Sequence, residues 1–425
     1  MKIAVVGAGI IGVTTAYELA ADGHQVTVFE RRGAAAEETS FANAGVVAPG
    51  AVTPWAAPGM PGKVARHLFS RHAPVRLCLP LTSADIGWMW RWWRACSLES
   101  YLANRARMQR LAFYSRERLH RLTEALKLVY DHSPGYMVLL RSEKDSKLVQ
   151  PGLQVLRDAG VPFREIGADQ ARLLEPALNP DTQFMGAVHL PDDEVGNCRQ
   201  FALLLKMQAQ QLGVQFEFNS TVAPLDTAAP TALHIGVEGA APRRQRFDAV
   251  VVCGALESAT LLRPLGLRLP LAAVHGYSIS APIREPLNAP RSGLMDERYK
   301  VAISRLGNRV RVAGSAEIGG TLAAKRPAAI QTLYKVLHDW FPGAAQISNT
   351  GAAVQEWKGA RPMLPDGPPV LGATGIPGVW INLGHGSSGW ALACGSARAV
   401  ADLMAGRAPE LDIEGLGIER LASLR

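Results

Sequence analysis

The first thirty residues carry the feature that most constrains this fold, a glycine turn between a strand and a helix. Residues 2–6 (KIAVV) predict a short buried strand, and residues 10–22 repeat apolar side chains at helical spacing until Gly23. Residues 25–29 (QVTVF) predict a second strand. A strand, a glycine turn, a helix and a strand form one βαβ unit. The sequence therefore predicts that a Rossmann-type domain begins at the first residues.

The turn, residues 7–12, reads Gly-Ala-Gly-Ile-Ile-Gly and matches the GxGxxG pattern of dinucleotide sites. Gly7 permits the tight turn, Gly9 lets the backbone approach a pyrophosphate, and Gly12 lets the helix pack closely on the strand. Glu30 ends the second strand, where a carboxylate accepts hydrogen bonds from ribose hydroxyls. Because an acid at this place disfavours a 2′-phosphate, the pattern favours FAD or NAD over NADP.

The C-terminal part of the chain favours FAD over NAD. There the sequence GVWINL (378–383) predicts a strand, residues 384–389 a Gly/Ser turn, and residues 390 to about 405 a helix. Such a segment closes over a flavin, and a helix N-terminus aimed at the N1/C2=O edge would stabilise the negative charge of a reduced flavin. A plain glycine turn is the alternative interpretation.

A chain of 425 residues is too long for one core, so its length predicts two domains. The apolar run DAVVVC (248–253) predicts another parallel strand, whereas alternating runs between residues 270 and 313 predict an antiparallel sheet. The predicted fold class is α/β, with a discontinuous FAD-binding Rossmann-type domain and an α+β substrate-binding domain. The predicted FAD-binding domain comprises residues 1–85, 192–265 and 355–425, and the predicted substrate-binding domain comprises residues 86–191 and 266–354.

Charge and cysteine content narrow the function classes. The net charge of +8 favours an acidic partner such as nucleic acid, anionic lipid or a carboxylate substrate. The basic residues are spread without a Lys/Arg run, so no nucleic-acid partner is expected. The five cysteines form no CxxC pair and no metal-ligand spacing, which predicts reduced thiols in the cytoplasm and no metal site. No segment reaches the ~20 apolar residues of a membrane-spanning helix.

Four local patterns complete the secondary-structure prediction. Residues 39–45 have the pattern of a helix start, and a long Pro- and Gly-rich loop follows them. Residues 84–128 predict a helical region rich in Arg, and residues 184–190 predict a strand that ends before Asp192. Residues 226–246 predict a divergent hairpin. Long loops in compact domains are usually functional, so the loop after residue 45 belongs to the candidate site.

Six segments together resemble the D-amino-acid dehydrogenase small subunit family, a branch of the D-amino-acid oxidase and glycine oxidase flavoproteins. They are GAGIIG (7–12), ETSFANAGVVAPG (38–50), PWAAPG (54–59), RHAP (71–74), GARPMLPDGPPVLG (359–372) and NLGHGSSGWALACGS (382–396). The similarity spans nearly the whole chain. It implies FAD as the cofactor, bound non-covalently because no cysteine occupies an attachment position. It also implies a D-amino-acid substrate and a quinone or another electron acceptor as partners.

The glycine turn and the resemblance together imply a set of cofactor-binding residues. By the resemblance, residues 40–46 wrap the pyrophosphate and the ring edge of the flavin, and Val222 binds adenine through its backbone. Core packing of Val222 and a helix cap at Ser40 are the alternatives. The full set is Gly7, Ala8, Gly9, Ile10, Ile11, Gly12, Glu30, Arg31, Ser40, Asn43, Ala44, Gly45, Val46, Val222, Gly254, Gly384, Gly386, Ser387, Ser388 and Gly389.

The resemblance implies a substrate carboxylate that must be fixed so that the Cα–H points at flavin N5. Arg361, in Gly-Ala-Arg-Pro, is the first catalytic candidate because a planar guanidinium binds carboxylates bidentately. A structural ion pair between Arg361 and Asp366 is the alternative.

Four further residues are candidates on the substrate side. Tyr277 and Tyr299 lie on or beside predicted strands of the second domain, where each would bind the carboxylate or cover the substrate, or else serve as a core tyrosine. His385 lies between two glycines of the flavin turn and would contact the ring or the substrate, or make a structural hydrogen bond. His275 and Lys300 are weaker candidates.

Four tryptophans and two arginines crowd into residues 88–94. A helix with Trp on one side and Arg on the other lies at membrane surfaces, and a positive net charge would strengthen its binding to anionic lipid. The pattern thus predicts a cytoplasmic protein with a peripheral contact to the inner membrane, where the resemblance places the quinone acceptor. An ordinary core helix with aromatic packing is the alternative.

The predicted function is FAD-dependent oxidative deamination of a D-amino acid by hydride transfer to flavin N5. D-Alanine and a D-proline- or hydroxyproline-like substrate are equally compatible with the sequence. The alternatives are a peroxide-forming oxidase of the glycine or sarcosine oxidase type, a non-catalytic FAD-binding subunit, and a colourless NAD-dependent dehydrogenase.

Overall fold

The structure, a computed structural model, describes residues 1–67, 73–347 and 354–424. Arg71 and His72 of the predicted RHAP motif lie outside the described residues. Within these ranges the α-helices are α1 (Ile10–Ala21), α2 (Met60–His67), α3 (Ser83–Arg94), α4 (Leu98–Ala125), α5 (Glu143–Asp158), α6 (Ala168–Leu174), α7 (Cys198–Gln211), α8 (Ser258–Leu262), α9 (Pro327–Trp340) and α10 (Gly389–Met404).

The strands of the described residues form three sheets. They are β1 (Lys2–Val6), β2 (Gln25–Phe29), β3 (Val46–Val47), β4 (Val75–Cys78), β5 (His132–Leu140), β6 (Arg164–Gly167), β7 (Gly186–Gly196), β8 (Gln215–Glu217), β9 (Ser220–Val222), β10 (Ala232–Val237), β11 (Arg243–Arg246), β12 (Ala249–Val252), β13 (Ala272–Pro282), β14 (Gly293–Asp296), β15 (Val301–Leu306), β16 (Arg309–Gly319), β17 (Gln355–Met363), β18 (Val370–Ala373) and β19 (Val379–Leu383).

The first sheet has the strand order β18-β19-β12-β1-β2-β8, and both ends of the chain contribute to it. β1 pairs in parallel with β2 and β12, and β19 pairs in parallel with β12. Helices α1, α7 and α10 cover one face through a core that includes Val13, Leu19, Phe201 and Leu392. Fully buried apolar strands are what a parallel sheet with covered faces requires. The predicted Rossmann-type domain is confirmed.

The second sheet is mixed, with the strand order β17-β13-β16-β15-β14-β5-β7-β3 along its main path. β13 is antiparallel to both β16 and β17, as the alternating runs predict. Helix α9 covers one face, where Val301, Ile303 and Val312 pack against Leu333 and Trp340. The opposite face carries the substrate side of the candidate site.

The strand β17 bears on the predicted domain boundaries. Those boundaries place residues 355–363 in the FAD-binding domain, whereas β17 pairs along its length with β13 of the second sheet. Strands β3 and β4, within the predicted segment 1–85, also belong to the second sheet. We propose that the substrate-binding domain extends through β17 and that the loop after β2 contributes to both domains.

Local predictions are confirmed at some positions and wrong at others. The predicted hairpin at 226–246 is confirmed by the antiparallel pair β10 and β11. The predicted helical region 84–128 is two helices, because the Ser97 side chain accepts a hydrogen bond from the Ser100 amide and caps a new helix. The strand predicted at 184–190 continues to Gly196, because Val195 and Glu194 pair with β3.

Candidate functional site

A cavity of about 370 Å³ lies at the carboxyl ends of β1, β2 and β12. The crevice outside these strand ends is where open parallel sheets bind ligands. Most of the predicted cofactor-binding residues line it: Gly7, Gly9, Ile10, Ile11, Glu30, Arg31, Ser40, Asn43, Val222, Gly254, Gly384, Gly386 and Gly389. The lining also includes His385, from the predicted catalytic set.

The three glycines of the turn 7–12 serve different purposes. A Cβ built on Gly12 would lie 1.8 Å from the Gly7 carbonyl oxygen, and one on Gly7 would lie 2.8 Å from the Cys253 carbonyl oxygen. Both positions are therefore closed by the protein itself. A Cβ on Gly9 would meet only the Ser40 Oγ, at 3.5 Å. The open space above Gly9, next to the N-terminus of α1, fits a pyrophosphate.

Glu30 and Arg31 hold the edge of the cavity. The Glu30 carboxylate accepts hydrogen bonds from the Ala8 amide at 2.7 Å and the Arg32 amide at 2.9 Å. Arg31 forms an ion pair with Glu38 at 2.8 Å. Glu30 thus fixes the glycine turn as well as placing a carboxylate where the resemblance puts the ribose. Ala8, which does not line the cavity, supports it through this bond.

The segment 39–45 forms turns instead of the predicted helix start. The Ser40 Oγ accepts a hydrogen bond from the Ile10 amide at 3.1 Å, so it caps α1 and does not start a helix of its own. The Asn43 Oδ1 accepts from the Gly45 amide at 2.8 Å, and the Ala44 carbonyl accepts from the Ser304 hydroxyl at 2.5 Å. Ala44, Gly45 and Val46 therefore anchor the loop to the second sheet and do not line the cavity.

The turn before α10 brings the far end of the chain to the same cavity. Gly386 has a φ of +56°, and a Cβ there would lie 2.5 Å from the Met363 Sδ, so glycine is required. Gly386 and Gly389 line the cavity, whereas Ser387 and Ser388 do not. The N-terminus of α10 therefore lies at the cavity, where its dipole would stabilise negative charge.

His385 is buried, and its Nε2 lies 3.0 Å from the Ser396 Oγ. The Ser396 hydroxyl donates to the Ala393 carbonyl, so the His385 Nε2 is the donor in the bond between the two side chains. Burial lowers the pKa of His385 to about 3. The imidazole is therefore neutral at physiological pH. His385 makes the structural hydrogen bond of the alternative interpretation, and it also lines the cavity.

Arg361 is the first substrate-side candidate. Its guanidinium is deep in the protein, although the residue as a whole is only half-buried. It donates to the Ser315 carbonyl at 3.0 Å and lies 5.9 Å from the Trp55 ring centroid. Burial lowers the pKa of Arg361 to about 10, so the side chain stays charged at neutral pH.

No carboxylate of the described residues pairs with Arg361. The alternative partner, Asp366, is bonded to Arg420. The structural-pair interpretation of Arg361 is therefore wrong. A buried cation without an acidic partner is costly, so Arg361 has the chemistry to bind an anion from outside the protein.

The two predicted tyrosines lie elsewhere. The Tyr277 hydroxyl donates to Glu317 at 3.0 Å and accepts from the Arg326 amide at 3.0 Å, on the face of the second sheet that α9 covers. Tyr299 lies beneath the Arg141 guanidinium, 5.2 Å from ring centroid to Cζ. Tyr277 does not share the face of Arg361, because alternate residues of a strand point to opposite faces. Tyr299 lies in the turn before β15 and packs against the core under α9.

The weaker candidates do not reach the site either. His275 precedes Tyr277 by two residues and therefore shares its face. Lys300 pairs with Glu297 at an exposed turn. Among the described residues, no group of three His, Cys, Asp or Glu side chains is placed to hold a metal ion.

Several lining residues were missed by the sequence prediction. Thr221, Cys253, Pro362 and Trp390 each adjoin a residue that was predicted to bind the cofactor or the substrate, so extending the motifs by one residue would have found them. Glu257, Thr260 and Asn382 also line the cavity. Glu257 and Thr260 carry no local signal, because only the fold of the segment after β12 brings them there.

Comparison with known proteins agrees with this geometry. The family model described as FAD dependent oxidoreductase matches residues 2–403. The chain belongs to this family. A protein from Cereibacter sphaeroides named D-amino acid dehydrogenase is 44% identical over 427 residues, covering 100% of this chain and 96% of that protein. One of the same name from Rhizorhabdus wittichii is 41% identical, covering 99% of this chain and 100% of that protein.

A solved structure of similar fold is glycine oxidase from Geobacillus kaustophilus. Its TM-score is 0.75 at 20% identity, with 98% of this chain and 97% of that chain covered. The predicted membership of the D-amino-acid dehydrogenase family, the fold class and FAD as the cofactor are all confirmed. The residues that line the cavity above Gly9 fit this cofactor.

Proposed function

We propose that this oxidoreductase oxidises a D-amino acid, with Arg361 as the carboxylate clamp. The observation that carries the proposal is the buried guanidinium of Arg361, which has no acidic partner and lies next in sequence to Pro362 of the cofactor cavity. The names of the relatives support a D-amino acid as the substrate. A bidentate pair with Arg361 would fix the substrate carboxylate and thereby the direction of its Cα–H.

The residues around the site suit hydride transfer without a strong protein base. FAD, when bound, supplies the acceptor of the hydride from the substrate Cα. His385 is neutral because burial lowers its pKa to about 3, so it takes no part as an acid at physiological pH. The substrate amine must enter in its neutral form. The imino acid product reacts with water and yields the 2-oxo acid and ammonia.

The test is anaerobic mixing of the FAD-loaded protein with matched D- and L-amino acids. We expect D-amino acids to bleach the flavin absorbance near 450 nm and their L-enantiomers to leave it unchanged. Bleaching by L-enantiomers alone would refute the proposal. Protein that binds FAD and is bleached by no amino acid would instead favour the alternative of a non-catalytic subunit.

We further propose that the electrons pass to a quinone or another acceptor and not mainly to oxygen. The word dehydrogenase in the names of the relatives supports this choice. The alternative is an oxidase of the glycine or sarcosine type, which releases one hydrogen peroxide per turnover. Measuring peroxide and the reduction of a soluble quinone in the same aerobic assay separates the two.

The tryptophans of α3 support a peripheral contact with an anionic membrane, in a pattern that differs from the predicted one. Trp88 and Trp92 point inwards and stack at 6.5 Å, and the Trp88 Nε1 donates to the Met363 carbonyl. Trp90 and Trp93 are 58% and 52% exposed and lie 5.1 Å apart. The predicted division into a Trp side and an Arg side is therefore wrong, because the tryptophans divide between the core and the surface.

Trp90 and Trp93 are not the only exposed apolar side chains of α3 and of the start of α4, where Ile86, Leu98 and Leu102 are exposed as well. None of the helices in the described ranges is both long and apolar enough to cross a membrane. Exposed indoles beside a basic surface are typical of proteins that lie on anionic lipid. We propose this surface as the place where the protein meets the bilayer that holds a quinone acceptor.

Sedimentation with vesicles of anionic and zwitterionic phospholipid tests this contact. We expect the Trp90→Ser/Trp93→Ser variant to lose most of the vesicle binding, by about tenfold or more, since each exposed indole contributes on the order of 1 kcal/mol. The control variant Val129→Ser/Leu287→Ser removes two apolar side chains outside α3 that are more exposed than the two tryptophans. Equal binding by the wild type and both variants would reject the membrane surface.

A further inference from the structure

Two glycines face each other on the substrate side of the second sheet. Gly276 of β13 and Gly359 of β17 are direct cross-strand partners. Such partners share one face of the sheet, with Cα atoms about 5 Å apart. A Cβ on Gly276 would lie 2.2 Å from the Arg361 Nη2, and a Cβ on Gly359 would lie 1.6 Å from the Trp357 Cη2. The guanidinium and the indole therefore lie side by side, each over one glycine.

Trp357 is not part of a packed core. Its side chain is half-buried, and it belongs to none of the apolar clusters that the described residues form. A second indole, Trp55, lies 5.9 Å from the Arg361 Cζ. The clamp cation is thus flanked by aromatic surface from two segments far apart in sequence.

A row of small side chains extends from Trp357 across the sheet. Trp357 pairs with Ser278, Ser278 with Ala313, and Ala313 with Ala302. All four residues share the face of Arg361, because cross-strand partners point the same way. The opposite face carries the larger Val301 and Ile303 in the core under α9. The site face therefore carries small side chains beside the indole, where the opposite face carries core-sized ones.

Among the residues that the structure describes, this face offers no carboxylate beside Trp357. Lys358 and Glu317, the nearest charged pair along these strands, lie on the opposite face and bond to each other at 3.1 Å. Arg311, two residues beyond Ala313, is engaged with the Asn43 carbonyl at 3.0 Å. A basic substrate side chain would lose its hydration here without a counter-charge and would be repelled by both Arg311 and Arg361.

We propose that Trp357 determines specificity and that the substrates are D-amino acids with flat apolar side chains. The carboxylate binds Arg361, and the side chain packs on the neighbouring indole over the row of small residues, an arrangement in which aromatic rings stack favourably. This inference rests on the proposed oxidation of D-amino acids and names the substrate class of that site. Trp357 contacts only the substrate side chain in this arrangement. It contacts neither the carboxylate, which Arg361 binds, nor the Cα–H that reacts.

The test is the ratio of kcat/KM for D-phenylalanine to kcat/KM for D-alanine, measured with a soluble dye acceptor. We expect Trp357→Ala to lower this ratio about tenfold or more, in keeping with the loss of a large apolar contact. Trp357→Phe should restore most of it, and FAD content should be unchanged in both. D-Lysine should be a poor substrate for the wild type.

Gly359→Ala probes the same indole without removing it, since the new Cβ occupies the place of the ring. We expect the ratio to fall as in Trp357→Ala. Gly236→Ala in β10 is the matched control, because its Cβ would meet only the Thr221 carbonyl oxygen, at 3.9 Å. An unchanged ratio in Trp357→Ala would overturn the inference and leave the proposed function intact. If no D-amino acid reduced the FAD of the wild type, both the inference and the proposed function would be overturned.

Discussion

Replacing Arg361 with lysine should raise the KM for a D-amino acid by about 10- to 100-fold, since a hydrogen bond to a charged group contributes about 1.5–3 kcal/mol. A lysine keeps the charge but loses the planar fork that holds both carboxylate oxygens. It also loses the flat group that fills the space over Gly276. FAD content should be unchanged, because Arg361 does not line the cofactor cavity. Steady-state kinetics with a dye acceptor measure the first effect, and absorbance at 450 nm the second.

The matched control is Arg420→Lys. Arg420 is as deeply buried as Arg361 and belongs to the same part of the chain, but it has an acidic partner, Asp366. We expect this variant to unfold at a lower temperature with an unchanged KM. Equal KM values in wild type and Arg361→Lys would remove Arg361 from the substrate site. A loss of FAD in Arg361→Lys would show that its role is structural.

The cofactor half of the site was predictable because its signals are local. A glycine turn, the acid that ends the next strand and the turn before α10 each lie within a few residues of the chain. These signals point to one site if a parallel sheet brings the strand ends together. Such a sheet can itself be predicted, because its strands are continuous apolar runs, as in β12. Some predicted positions, such as Ala44 and Ser388, adjoin lining residues but do not themselves line the cavity.

The substrate half was predictable only in part, because it depends on which face of a strand a residue occupies. Arg361 and Tyr277 both lie on predicted strands, yet they point to opposite faces. A one-residue bulge in β16, between the partners of His275 and Tyr277, shifts the register there. A single-residue shift reverses every later side chain of a strand, and no pattern in the sequence announces it.

The role proposed for Trp357 could not be predicted from the sequence either. Its indole reaches the guanidinium of Arg361 only because Gly276, some eighty residues earlier, pairs with Gly359. Neither glycine belongs to a turn or has a positive φ, so neither is required by the backbone. The two glycines leave space for the guanidinium and the indole. The sequence does not reveal this role, because it does not show which strands are paired.

The glycine turn supplies the second large effect, a contrast between Gly9→Ala and Gly12→Ala. A Cβ on Gly12 would lie 1.8 Å from the Gly7 carbonyl oxygen, so α1 must move away from β1. We expect this variant to lose about 1–3 kcal/mol of folding stability, or more, even without cofactor, as overpacked cores do. Thermal unfolding of the FAD-free protein measures that loss.

Gly9→Ala should leave the FAD-free protein as stable as the wild type. Its Cβ would meet only the Ser40 Oγ, at 3.5 Å, and the φ of −67° suits alanine. The same Cβ would project into the space that we assign to the pyrophosphate. We therefore expect FAD binding to weaken by about 10- to 100-fold, corresponding to about 1.4–2.8 kcal/mol, as measured by titration of the FAD-free protein. Wild-type affinity in Gly9→Ala would move the pyrophosphate away from this turn. An unfolding temperature lowered as far as in Gly12→Ala would show that Gly9 serves packing and not the cofactor.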